Sequence, residues 1–213
     1  MKHIYNFSFF QFHNKVFTYY HSLIPLIKMN SYFLLYDGFS GYEMVFPAFI
    51  LRKTNVKTVG LKDGRIISEE NMGYTPDFHI SEINVDDVDI FIIPGGSALQ
   101  HLNDNSLLPK LLNELHSKNK VIAAICGGPV LLANTSVLEN KRFTAGGGEL
   151  PENWQKNFTK GKYVIEDVVV DENIITAKGV AVASFAVAIG KKMGIFSSAE
   201  QEKQNYELIK EIR

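Results

Sequence analysis

An α/β fold with a mostly parallel central sheet is what the sequence predicts, on three observations. From Ser31 onward, apolar runs of strand length alternate with segments of helical periodicity. The runs are continuous rather than alternating in polarity, as in strands buried on both faces. Two of them, VDIFIIPGG (88–96) and VIAAICGG (121–128), end in glycine pairs. In such sheets ligands bind outside the carboxyl ends of the strands, so those two breaks locate the candidate site.

The elements follow in order. SYFLLY (31–36) is a strand ended by Asp37-Gly38, and YEMVFPAFILRK (42–53) has helical spacing, with Pro47 tolerable only in a first turn. VKTVGL (56–61) is a strand, and Asp63-Gly64 before RIIS signals a hairpin turn. SLLPKLLNELHSK (106–118) is an amphipathic helix with Ser106 as N-cap. VIAAIC is a buried strand followed by a helix from about Gly128. RFTAGGGELPENW is a short strand and a glycine-rich loop, and YVIEDVVVDENIITA (163–177) is two strands around Asp171-Glu172-Asn173. VASFAVAIGKKMGI (182–195) is a buried helix, and a capping box from Ser197 to Glu200 opens a last charged helix.

The bulk properties bound the function. The 213 residues suit one domain, expected over 30–213, and the net charge of −1 spreads over 22 basic and 23 acidic residues without a polybasic block. Nothing points to nucleic acid or to anionic lipid. One cysteine forbids an internal disulfide and fits a reducing, cytoplasmic setting. The first 29 residues are rich in Phe and Tyr, but Gln11, His13, Asn14 and Lys15 interrupt the apolar run, so neither a secretory signal nor a membrane span is expected. They read as an appendage of uncertain order, or as the product of a start codon placed too early, since Met29 directly precedes the first strand.

Cys126 stands at the break in KVIAAICGGPVLLA (120–133). Ala124-Ile125-Cys126-Gly127-Gly128 has the small-x-nucleophile-x-Gly form of a nucleophile elbow, in which small neighbours permit a strained turn that exposes the middle side chain. A helix N-terminus and free amides at that turn are expected to lower the thiol pKa. The competing reading is an ordinary buried cysteine.

YDGFSGYEMVFP, DIFIIPGG, VIAAICGGPVLLA and IITAKGVAVASFAVAIG occur in the order and spacing of the ThiJ/PfpI family. This resemblance, to a branch of the class I glutamine amidotransferase-like superfamily, covers roughly residues 31–195. It implies a flavodoxin-like three-layer sandwich, a homodimer, a catalytic cysteine at Cys126, and an acid, Glu43, pointing at its sulfur. It also implies an oxyanion hole made by the backbone of Gly96 and Gly127. Gly95, Gly128 and Gly146 are the candidate substrate-binding positions, and no cofactor or metal is expected. A carboxyl beside a thiolate and away from water should have a raised pKa, stay protonated, and shuttle a proton to or from substrate. The competing reading of Glu43 is a solvated acid in a helix's first turn.

The chain departs from parts of the family pattern. All six histidines precede Cys126. The His that an amidotransferase places after its cysteine is missing, and the protease-like members' His after the elbow is Gly127 here. His101, five residues beyond Gly96, is the best substitute base, against a competing reading as an exposed helix-face residue. Two functions of different class follow. One is a cysteine-dependent enzyme hydrating small reactive carbonyls, of the glyoxalase or deglycase type the resemblance implies. The other is a thiol redox sensor or stress-response protein. A hydrolase or peptidase survives only if His101 reaches the sulfur.

Overall fold

Asn30–Leu35 forms β1, whose last five residues are buried, and it takes a central place because both of its faces are apolar. The computed structural model describes residues 28–101, 103 and 106–211, so nearly all of the expected appendage lies outside the described residues. β1 pairs in parallel with β2 (Asn55–Gly60) on one side and β6 (Ile90–Ile93) on the other. Between them come the two-residue strands β3 (Ile66–Ile67), β4 (Gly73–Tyr74) and β5 (Phe78–His79). β7 (Val121–Ile125) pairs with β6. β8 (Arg142–Phe143) and β9 (Lys162–Tyr163) form a small parallel pair of their own. β10 (Val168–Asp171) and β11 (Ile174–Ala177) complete the seven-stranded sheet, order β10-β11-β7-β6-β1-β2-β5. Every pairing in it is parallel except β10 with β11.

The chain leaves β1 toward β2 and β5, then returns to β6 and moves the other way through β7 and β11. With right-handed crossovers, the two directions put their helices on opposite faces. α1 (Tyr42–Ile50) links β1 to β2, while α2 (Leu107–Ser117) links β6 to β7. α4 (Val182–Lys192) packs beside α1, and α5 (Ala199–Glu211) closes over both through Ile50, Ala183, Ala186 and Ile209. The remaining helix, α3 (Glu152–Gln155), is a single turn. The flavodoxin-like arrangement is therefore present, with the switch in strand order falling between β1 and β6. Ile90, Phe91, Ile92 and Ile93 in that centre are wholly buried, each contributing about 1.5–3 kcal/mol.

Local details differ from the sequence reading, each for a physical reason. The hairpin joins β3 to β4, past the Asp63-Gly64 turn, because Ile66 and not Val59 pairs with the returning strand. Pro47 is the sixth residue of α1, beyond the first turn, so the helix forgoes one backbone bond there. Ser106 occupies the N-cap of α2 with helical backbone angles and makes no side-chain cap bond. The cap of α5 is shifted by one residue: Ser198 Oγ accepts from the Gln201 N–H at 3.2 Å, and the Gln201 side chain accepts from the Ser197 N–H at 2.7 Å. After Cys126 comes a single 3-10 segment, Gly128–Leu132, instead of an α-helix, so little macrodipole faces the sulfur.

Candidate active site

The turns after β1 and β6 are stitched to each other by their backbones. Phe39 and Gly96 form an isolated antiparallel bridge. The Ser97 N–H donates to Gly38 O at 2.8 Å and the Ser40 N–H to Gly95 O at 3.0 Å. The buried Tyr36 hydroxyl is shared between the carbonyls of Pro94 and Gly95, 2.6 Å from each. Gly96 has φ +91°, and a Cβ there would drive into the Gly38 carbonyl, so this close approach needs glycine.

Cys126 leaves β7 with φ +57°, a value that L-residues rarely adopt and that turns its side chain out of the sheet. The strained turn expected of an elbow is thus observed. It is anchored on both sides: the Cys126 N–H donates to Ala177 O at 2.9 Å, and the Gly146 N–H donates to Cys126 O at 2.7 Å. The backbone N–H groups of Gly96 and Gly127 donate to the sulfur, which is partly exposed. Those two amides are the pair the resemblance implies for an oxyanion hole.

Glu43 is in the first turn of α1 but is only 1% exposed. Its Oε2 accepts the Gly95 N–H at 2.6 Å, its Oε1 lies 3.4 Å from the donating Tyr42 hydroxyl, and the carboxylate accepts the Cys126 thiol. Burial raises its pKa to about 7, against the lowering effect of those donors. Burial also raises the Cys126 thiol, to about 12, with the neighbouring Glu43 charge adding to the effect and the two glycine amides opposing it. This corrects the expected low-pKa thiolate beside a protonated acid. Both groups are thus pushed toward their neutral forms, burial being the main cause in each.

The remaining sequence candidates are placed differently. His101 Nε2 lies 2.8 Å from Asp37 O, an oxygen that only accepts, so Nε2 donates. Its ring stands 5.1 Å from the Tyr36 ring. The groups acting on the sulfur are Glu43, Gly96 and Gly127, and the structure does not bring His101 among them. Gly95 is buried between Cys126 and Glu43, where it supplies an amide to the acid. Gly128 is buried against the carbonyls of Ile93 and Pro94, behind the elbow. Gly146 bridges: it donates to Cys126 O and accepts from the Gly179 N–H at 2.8 Å. Among the described residues, no three His, Cys, Asp or Glu side chains gather in a group fit for a metal, and no helix is long and apolar enough to cross a membrane.

Two residues at the site escape the sequence reading. Gly179 follows β11, and a Cβ there would stand 2.9 Å from Cys126 Sγ and 3.3 Å from Glu43 Oε1. It was detectable as a further glycine just past a strand's carboxyl end. Trp154, on α3, comes near Gly127 and Gly146, and nothing in its spacing announces that.

A mostly parallel α/β sheet with a strained cysteine and a buried acid at the carboxyl ends of its central strands defines the class of protein. The sequence matches the DJ-1/PfpI family over residues 29–192, and the chain belongs to that family. It is 31% identical over 144 residues to the uncharacterized protease YoaZ of Bacillus subtilis, covering 67% of this chain and 68% of that one. Protein dj-1beta of Drosophila melanogaster is 29% identical over 166 residues, 75% of this chain and 87% of that one. The crystal structure of the Drosophila protein superposes with a TM-score of 0.74 at 24% identity, covering 86% of this chain and 98% of that one. Deglycase PfpI of Pyrococcus furiosus is 24% identical over 152 residues, 70% of this chain and 90% of that one.

Proposed function

We propose that the protein is a cysteine-dependent enzyme that hydrates small α-oxoaldehydes, free or as adducts, in the manner of a glyoxalase or deglycase. The observation that carries the reading is the geometry at Cys126: a thiol on a backbone strained to φ +57°, the buried Glu43 carboxyl beside it, and the Gly96 and Gly127 amides directed at the same sulfur. Relatives named deglycases, at low identity, support it.

The chemistry balances without a cofactor. The Cys126 sulfur adds to the aldehyde carbon, its proton passes to the Glu43 carboxylate, and the carbonyl electron pair moves to oxygen beside the Gly96 and Gly127 amides. Glu43 returns that proton to the oxygen, giving a hemithioacetal. The same carboxylate then takes the former aldehyde carbon's hydrogen as a proton, its bonding pair forming an enediolate on the ketone oxygen; the hydroxyl proton passes to that oxygen, and Glu43 returns its own proton to the adjacent carbon, leaving a 2-hydroxy thioester. Water cleaves the thioester, so an oxoaldehyde plus water leaves as a 2-hydroxy acid and the thiol is restored.

The test is lactate formation from methylglyoxal. Cys126→Ala is expected to lower the rate by about 1,000-fold or more, as loss of a nucleophile does elsewhere. Equal rates for the two proteins would remove the reading. The alternative, a redox sensor, would use the same partly exposed sulfur and oxidise it to sulfinate without a carbonyl substrate. A peptidase lacks its base, since the His101 imidazole is engaged with Asp37 O.

A further inference from the structure

Trp154 is the chain's only tryptophan. It is half-buried on α3, where its neighbours Glu152, Asn153 and Gln155 are exposed. Its six-membered ring reaches the residue that follows the nucleophile: a Cβ on Gly127 would lie 3.5 Å from Trp154 Cη2, 3.4 Å from Ala98 Cβ and 3.1 Å from Gly96 O. The same ring stands by the glycine run, Cζ3 lying 3.8 Å from where a Gly146 Cβ would be. Gly127 supplies an amide to the sulfur and Gly146 binds the Cys126 carbonyl. A large apolar edge therefore flanks the backbone that would hold a reacting oxygen, and the absence of a side chain at position 127 leaves that edge uncovered.

We infer that Trp154 is the apolar wall of the Cys126 site and selects substrates that carry a flat ring on the carbonyl, aryl α-oxoaldehydes over short-chain ones. The inference rests on the carbonyl reading above and names its substrate class. An aromatic substituent set against an indole gains interaction beyond its buried area, whereas a methyl group gains little.

The experiment compares kcat/KM for phenylglyoxal and methylglyoxal in the native protein, Trp154→Ala and Trp154→Phe. Trp154→Ala is expected to lose about 10-fold on phenylglyoxal and less than about 2-fold on methylglyoxal, with Trp154→Phe keeping most of the preference. Equal losses on both substrates, as a merely structural role would give, overturn the inference, and so does an unchanged preference. A second measurement needs no turnover. The native protein is titrated with mandelate, the hydration product of phenylglyoxal, and with lactate, following the single tryptophan's emission. Saturable quenching by mandelate but not lactate is expected, and no response to mandelate overturns the wall. Mandelate quenching in a protein that converts neither aldehyde would sink the catalytic reading while supporting Trp154 as a ligand-facing wall.

Discussion

The site has a floor and a wall, and they are built differently. The floor consists of the turns after β1, β6, β7 and β11, joined by backbone bonds at 2.7 to 3.0 Å and so close that glycine is the only residue that fits at 96. The wall is the segment from Gly147 through Trp154, where Gly147 and Gly148 have nothing within 4 Å of a would-be Cβ and Glu149, Pro151 and Glu152 are exposed. Backbone packing leaves the floor almost no freedom to vary, which suits a proton transfer that fails when atoms are misplaced by an ångström. The wall is open to change and suits the choice of substrate. One site can thus keep its chemistry while its specificity drifts.

The sharpest way to test this division is Glu43→Gln. It keeps an oxygen for the Gly95 N–H but cannot take a proton, and is expected to lower lactate formation by about 100- to 10,000-fold. In the native protein the rate of the proposed reaction should rise with pH through about 7, as Glu43 ionises, and the variant's residual rate should lose that step. Stability runs the other way. The folded pKa of Glu43 lies above its ordinary value of 4.5, so its contribution is full below pH 4.5 and is lost as pH rises through about 7. That amounts to about 3 kcal/mol between the two ends, and urea midpoints of the native protein and the variant should diverge across that window.

Gly179→Ala comes next. Its methyl would crowd the sulfur and the acid together, at 2.9 and 3.3 Å. The expected result is a cost of about 1–3 kcal/mol in thermal unfolding and about 100-fold in activity. Gly147→Ala, in the wall, is expected to do least: stability within about 0.5 kcal/mol and activity within about 2-fold. A large loss there would mean that the wall is as constrained as the floor.

What the sequence displayed follows the same line. Strands such as IFII (90–93), buried on both faces, announce themselves by composition, and the elbow by two glycines after a cysteine. The pairing of Glu43 with Cys126 comes through family resemblance, because α1 and β7 lie far apart in the chain and only the strand order, with β6 alone between β1 and β7, brings their ends together. The thiol's raised pKa was not legible, since it depends on burial and on a 3-10 turn where an α-helix was expected. Trp154 was missed for a similar reason: a tryptophan among polar loop residues carries no periodicity, and only the fold of the glycine run carries it to Gly127.

The buried Glu43 carboxyl, held by the Gly95 N–H, is expected to tie the proposed turnover and the stability to one ionisation, in opposite senses. Lowering the pH toward 5 keeps this carboxyl neutral, so the fold is expected to hold more tightly and the proposed turnover to slow. Raising the pH through about 7 is expected to reverse both.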